Sequence, residues 1–144
     1  MTVAAASSFT IGQTNIVGWD NSGDANLLVA EQVSLTQTAT AVSMSFYVTT
    51  ASGKLRLGIY DATGPNGGPG QLKAQTAEFT PVSGWNTQNV VSQVSLPAGT
   101  YWLAYLPSSS SLGFKTASGG SARYYDYAYG PMPATFSTAP QSAA

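Results

Sequence analysis

The sequence contains no cysteine and no histidine, and charged residues make up only 8% of its 144 positions. Without cysteine the chain can form neither a disulfide nor a thiolate metal site. Without histidine it lacks the central base of the usual serine and cysteine hydrolases, and it has no imidazole ligand for zinc. Average globular proteins carry about 25% charged residues, so uncharged polar groups must keep this chain soluble. Disulfide scaffolds, zinc sites and histidine-dependent catalysis are therefore excluded.

Basic residues are few and dispersed, and the net charge is −1. The five lie at Lys54, Arg56, Lys73, Lys115 and Arg123. Binding to nucleic acid or to anionic membranes needs clustered Lys and Arg, so neither is an expected partner. The sequence also has no apolar run that approaches the length needed to span a bilayer.

The length suits one domain that is large enough to bury a proper core. Residues 1–8 lack the basic and apolar regions of a secretory signal and have the composition of an Ala/Ser linker. Residues 139–144 have the same character. We therefore expect linker remnants at 1–8 and 139–144 around a single domain at 9–138. Frayed ends of an ordinary domain are the alternative.

Apolar and polar residues alternate along the middle of the chain. Val42, Met44, Phe46 and Val48 fall on one side of such a segment. A period of two is typical of antiparallel strands with one buried face, and glycine or proline separates most of the segments. The sequence predicts strands at 27–35, 40–50, 54–60, 72–80, 88–96, 100–106, 112–116, 122–129 and 134–138. The pattern indicates an all-β fold, a single antiparallel β-sandwich of jelly-roll type.

Four of the eight tyrosines fall within six residues, from Tyr124 to Tyr129. On a strand, Tyr125, Tyr127 and Tyr129 share one face, and Tyr124 lies on the other with Asp126. Such a row either lines a core or forms an exposed platform. Because surface aromatics mark recognition sites, we favour exposure of at least one face.

Two tryptophans extend this aromatic set. Trp102 alternates with Tyr101 and Leu103, so an aromatic side chain points away from the core whichever way the strand faces. Trp85 follows a Ser-Gly turn, a place where tryptophan either plugs the end of a sandwich or contacts a ligand. The residues alone leave both alternatives open.

A loop with several side-chain oxygens precedes the first long strand. Asp20, Asp24 and Asn26 surround a glycine there, and oxygen ligands on a flexible loop suit Ca²⁺. The spacing differs from that of an EF-hand, and Asp and Asn are also ordinary turn formers. We favour the turn and keep these three residues as a candidate calcium site, the one cofactor that the sequence suggests.

The segments Leu57–Ala62, Phe79–Thr87 and Val94–Tyr105, together with the tyrosine run, resemble β-sandwich accessory modules of bacterial polysaccharide-degrading enzymes. The chain is most similar to the carbohydrate-binding modules that bind β-glucan beside cellulases, over roughly residues 27–130. The resemblance implies a secreted, non-catalytic, monomeric domain tethered to a glycoside hydrolase. Its implied ligands are β-1,4-linked glucans such as cellulose, cello-oligosaccharides, mixed-linkage glucan and xyloglucan.

We expect an aromatic platform to contact the sugar faces, while polar side chains bind the sugar edges. The aromatic residues are Trp85, Trp102, Tyr124, Tyr125, Tyr127 and Tyr129, and the polar residues are Arg123 and Asp126. A glycan-acting enzyme is an alternative, but the six carboxylates of the chain offer no compelling facing pair. A structural or adhesive domain of a larger bacterial surface protein, with tyrosines at a protein interface, is the other.

Overall fold

The computed structural model describes residues 10–12, 19–116 and 120–143, and this part of the chain is almost entirely strand and loop. Its elements are β1 (Trp19–Asn21), β2 (Leu27–Leu35), β3 (Ala39–Thr50), β4 (Leu55–Asp61), a 3-10 turn (Pro65–Gly67), β5 (Leu72–Gln75), β6 (Gly84–Leu96), β7 (Gly99–Pro107), β8 (Gly113–Thr116), β9 (Ala122–Asp126) and β10 (Gln141–Ala143). Within these ranges, none of the residues forms a helix long and apolar enough to cross a membrane.

The strands form two antiparallel sheets. One has four strands in the order β1-β8-β3-β6, and the other has six in the order β10-β9-β2-β7-β4-β5. Val48 and Phe114 from the smaller sheet pack with Leu57 and Tyr105 from the larger one in a shared core. The alternation in the sequence places these side chains on inward-facing sides. The predicted all-β sandwich is therefore confirmed.

The outer side of the six-stranded sheet carries a second apolar cluster. Leu28, Tyr60, Trp102 and Leu106 are all buried there, on the side of the sheet that faces away from the first core. Strands β4 and β7 are consequently buried on both faces, which explains the nearly continuous apolar run of β7.

Residues 131–136 cover this second cluster and will be called the cover segment. Met132 and Phe136 from it are 6% and 1% exposed. The Phe136 ring packs edge-on against Tyr60, with ring centres 5.3 Å apart, and the Tyr60 hydroxyl donates a 2.7 Å hydrogen bond to the Pro133 carbonyl. A Cβ atom on Gly58 would lie 2.5 Å from the Met132 sulfur, so glycine allows the segment to approach β4 closely. The cover segment is therefore part of the folded core.

Several predicted boundaries are wrong. The expected strand at 134–138 is absent from the described residues apart from a bridge between Thr135 and Gln71, because this stretch lies over the sheet face. The strand expected at 122–129 ends at Asp126, where the following tyrosines pack against the second cluster. The strand expected at 72–80 ends at Gln75, and beyond it Phe79 packs in the core between the sheets.

Two short strands were not predicted. β1 lies in the loop proposed for calcium and pairs with β8, and β10 lies in the segment proposed as a linker remnant and pairs with β9. Both strands have three residues, too few to show a periodic pattern. The other proposed linker remnant, residues 1–8, lies outside the described residues.

The cover segment provides a direct test of this description. Replacing Phe136 by alanine should lower the free energy of unfolding by about 3–5 kcal/mol, the usual cost of removing a buried phenylalanine. Phe136→Leu, which keeps much of the volume, should cost less. Urea unfolding followed by circular dichroism measures both. A loss below about 1 kcal/mol in Phe136→Ala would mean that the segment does not close on the sheet.

Candidate functional site

The tyrosine run packs against the second cluster. Tyr125, Tyr127 and Tyr129 all contact that cluster, whereas Tyr124 packs against the core between the sheets. The predicted shared face of the three odd-numbered tyrosines is thus confirmed. That face is covered, since Tyr125 stacks edge-on against Phe136 of the cover segment, with ring centres 4.9 Å apart. The three rings are half-buried against this core, and part of each ring remains exposed.

The hydroxyl groups of this row are engaged within the protein. The Tyr127 hydroxyl donates to the Pro131 carbonyl at 3.0 Å, and the Tyr129 hydroxyl donates to Glu78 Oε1 at 3.0 Å. The Arg56 guanidinium lies 5.5 Å from the centre of the Tyr129 ring and 3.8 Å from Glu78. The pKa of Tyr129 is raised to about 12. Partial burial is the largest cause, and the hydrogen bond to Glu78 and the negative charge of Glu78 add to it.

Trp102 points to the outer side of β7, as one of the two sequence alternatives requires, with Tyr101 and Tyr105 facing the core between the sheets. It is nevertheless only 1% exposed. Its indole N–H donates to the Gly67 carbonyl at 3.0 Å, and the Arg123 guanidinium lies 5.2 Å from its ring centre. The cover segment and the 3-10 turn shield Trp102, so it does not belong to an exposed aromatic surface as the sequence predicts. Arg123 belongs to the same packing.

The loop proposed for calcium has other partners. Asp20 forms a 2.8 Å ion pair with Lys115, and Asp24 accepts a 3.0 Å hydrogen bond from the Tyr105 hydroxyl. Asn26 has a positive φ of 57°, and its side-chain oxygen accepts the Tyr129 N–H at 2.8 Å. Desolvation raises the pKa of Asp24, and the bond from Tyr105 partly opposes this shift. Among the residues that the structure describes, no three His, Cys, Asp or Glu side chains are grouped to hold a metal.

The outer side of the four-stranded sheet carries Trp85, the more exposed of the two tryptophans in the predicted set. Trp85 lies on β6 opposite Tyr47 of β3, and the two rings meet edge to face with centres 5.3 Å apart. Trp85 is 43% exposed and Tyr47 is half-buried. Of the two alternatives for Trp85, the structure shows an exposed side chain and not a core plug. Tyr47 was missed, although its place on the polar side of β3 could have indicated it.

We call the outer side of the four-stranded sheet the open face. Asp20 of β1 lies opposite Lys115 of β8. Because Val48 pairs with Phe114, Lys115 lies beside Tyr47 of β3, which in turn lies opposite Trp85 of β6. The four strands thus contribute one continuous row of side chains from Asp20 to Trp85. The next row holds Ser45 and Thr87, whose hydroxyls lie 2.8 Å apart. The open face thus presents an aromatic pair, an ion pair and small polar side chains.

A polar groove of about 580 Å³ adjoins this row where β8 begins. It is lined by Asp20, Asn21, Ser22, Thr49, Thr50, Ser111 and Gly113. Every lining residue other than the glycine carries a side-chain oxygen that can accept or donate a hydrogen bond. The groove therefore suits a ligand rich in hydroxyl groups.

No family model matches the chain, and neither does any of the curated proteins or solved structures compared with it. The resemblance to β-glucan-binding modules accordingly stays a prediction.

The engagement of Tyr129 has a measurable consequence at alkaline pH. Its pKa of about 12 in the folded protein exceeds the ordinary value of 10.0, so the folded state holds the phenolic proton more tightly than the unfolded state does. The stabilisation is complete below pH 10 and is lost as the pH rises towards 12. Between pH 9 and pH 11, the parent should lose more unfolding free energy than Tyr129→Phe, which cannot ionise. Equal losses in urea unfolding would contradict the burial of this hydroxyl.

Proposed function

We propose that this chain is a non-catalytic carbohydrate-binding domain that binds β-1,4-linked glucan on the open face. The observation that supports this most is the exposed Trp85 beside Tyr47, with the hydroxyls of Ser45 and Thr87 in the next row of the same sheet surface. Exposed aromatics in such surroundings are a common feature of recognition surfaces. A polysaccharide outside the cell is the expected partner, with the domain attached to a glycoside hydrolase.

The chemistry of the open face complements a glucan chain. A β-1,4-linked glucose ribbon has faces rich in C–H groups and edges rich in hydroxyl groups. Trp85 and Tyr47 offer ring surfaces for the faces, while Ser45, Thr87 and Asn89 offer donors and acceptors for the edges. Because these contacts are uncharged, binding should depend little on salt.

A structural or adhesive role is the second candidate, and one observation favours it. Strand β6 lies at the edge of its sheet, and its 13 residues include no charge. Its Val91 is 68% exposed. An uncharged edge strand can pair with a strand of another chain. Such pairing would involve the β6 backbone and would not need the Trp85 ring.

Alanine substitution of the aromatic pair tests the proposal. Each ring should contribute about 0.5–1.5 kcal/mol, which corresponds to roughly two- to tenfold weaker binding of cellohexaose for Trp85→Ala and for Tyr47→Ala. The parent affinity should lie in the micromolar-to-millimolar range, about −4 to −8 kcal/mol. Isothermal titration calorimetry measures these values, and circular dichroism verifies that each variant is folded.

Two control variants separate this site from the tyrosine run. Tyr127→Phe keeps the ring and removes only an internally bonded hydroxyl, and Val82→Ala shortens an exposed apolar side chain that the proposed site does not include. Both should bind like the parent. If the Trp85→Ala and Tyr47→Ala proteins are folded and keep the parent affinity, the proposal is wrong. Self-association of the parent that is lost when the β6 edge strand is changed would favour the adhesive role.

A further inference from the structure

We infer that the ligand is a single glucan chain that extends from Trp85 into the polar groove at the start of β8, and that Gly113 allows Thr49 and Thr50 to pack closely against β8 in the lining of this groove. The inference rests on the proposed function and narrows it, because it distinguishes a soluble chain from a crystalline surface. Three observations support it: the close packing around Gly113, the chemistry of the groove and its distance from Trp85.

Gly113 lies on the open face, because its neighbour Phe114 is fully buried in the core between the sheets. A Cβ atom on Gly113 would lie 2.6 Å from the Thr49 hydroxyl oxygen and 3.3 Å from Thr50 Cβ. Its φ is not among the positive values that favour glycine, so the backbone does not require this residue type. Glycine is required because Thr49 and Thr50 of β3 occupy the position of a side chain, so these two groove-lining threonines lie close to β8.

The groove offers hydrogen-bonding groups and little apolar surface. Thr49 and Ser111 supply hydroxyls, Asn21 supplies an amide, and Asp20 supplies a carboxylate acceptor. Lys115 pairs with Asp20 at 2.8 Å, so the carboxylate charge is balanced. A neutral ligand with several hydroxyl groups fits this lining better than an anion or an apolar group.

The groove is too far from Trp85 for one sugar ring to occupy both. β8 is separated from β6 by two strand spacings, about 9–10 Å, and Gly113 lies two residues along β8 from the aromatic row, about 6.6–6.8 Å. An oligosaccharide can bridge this separation. A flat crystalline surface that rests on Trp85 would not enter the groove.

The comparison of Gly113→Ala with Gly120→Ala tests the inference. An added methyl group meets Thr49 at position 113, whereas at position 120 no atom of the residues that the structure describes lies within 4 Å of it. The parent should bind cellohexaose more tightly than cellobiose. Gly113→Ala should weaken cellohexaose binding about tenfold, the worth of one or two hydrogen bonds, with little effect on cellobiose. Gly120→Ala should bind both sugars like the parent.

A second variant covers the case in which Gly113→Ala fails to fold. Thr49→Val keeps the side-chain shape and removes only the hydroxyl, and Thr40→Val makes the same change on β3 away from the groove. Thr49→Val should weaken cellohexaose binding several-fold, as loss of one hydrogen bond predicts. Thr40→Val should leave binding unchanged. If Thr49→Val binds cellohexaose like the parent, the inference is wrong.

The outcomes separate this inference from the proposed function. Weaker binding in Trp85→Ala, together with parent affinity in folded Gly113→Ala, would overturn the groove alone. Absence of any glucan binding by the parent would overturn both. Adsorption of the parent to crystalline cellulose, undiminished in Gly113→Ala, would overturn the single-chain ligand, whereas binding confined to soluble cello-oligosaccharides would support it.

Discussion

Closure of the cover segment over Tyr60 and Trp102 decides which surfaces of this protein remain free. The six-stranded sheet is apolar on both sides, and only one side faces the smaller sheet. Phe136 and Met132 bury the other side, and burial of side chains of this size stabilises a fold by about 1.5–3 kcal/mol each. The tyrosine run continues the same layer. The two sheets therefore differ. The six-stranded sheet packs against the smaller sheet on one face and against the cover segment on the other, whereas the four-stranded sheet keeps an open face.

That difference gives the aromatic residues two separate purposes. Trp102 is buried in the second cluster, and Tyr125 packs half-buried against it. The indole N–H of Trp102 donates to the Gly67 carbonyl, and the Arg123 guanidinium lies over its ring. Trp85 and Tyr47 stand among hydroxyl groups on the open face, with the Asp20–Lys115 ion pair in the same row. The polar groove beside them is lined by Thr49 and Thr50, which pack closely against Gly113. Together these features form a surface where ring faces and hydroxyl groups can be matched at once.

Local patterns in the sequence predict much of the fold. The alternation around Val48 and Leu57 correctly indicates a sandwich, although the register shift between Ala41 and Ser43 leaves Val42 47% exposed, against the pattern. The shared side of Tyr125 and Tyr127 was also predictable. Their partial covering by the cover segment was not, because that segment packs against strands far away in the chain. The open face was only partly predictable, since Trp85 was identified while Tyr47 and Gly113 become recognisable only once strand register places them together.

The central claim is that ligand binds the open face and not the tyrosine run. Backbone-amide NMR during titration with cellohexaose tests it most directly, because the chemical shift of each amide reports on its own surroundings. The account predicts shifts that concentrate at Tyr47, Trp85 and Gly113 and leave the amides of Tyr125 and Tyr127 unchanged. Shifts concentrated at Tyr125 and Tyr127, with none on β3, β6 or β8, would contradict it.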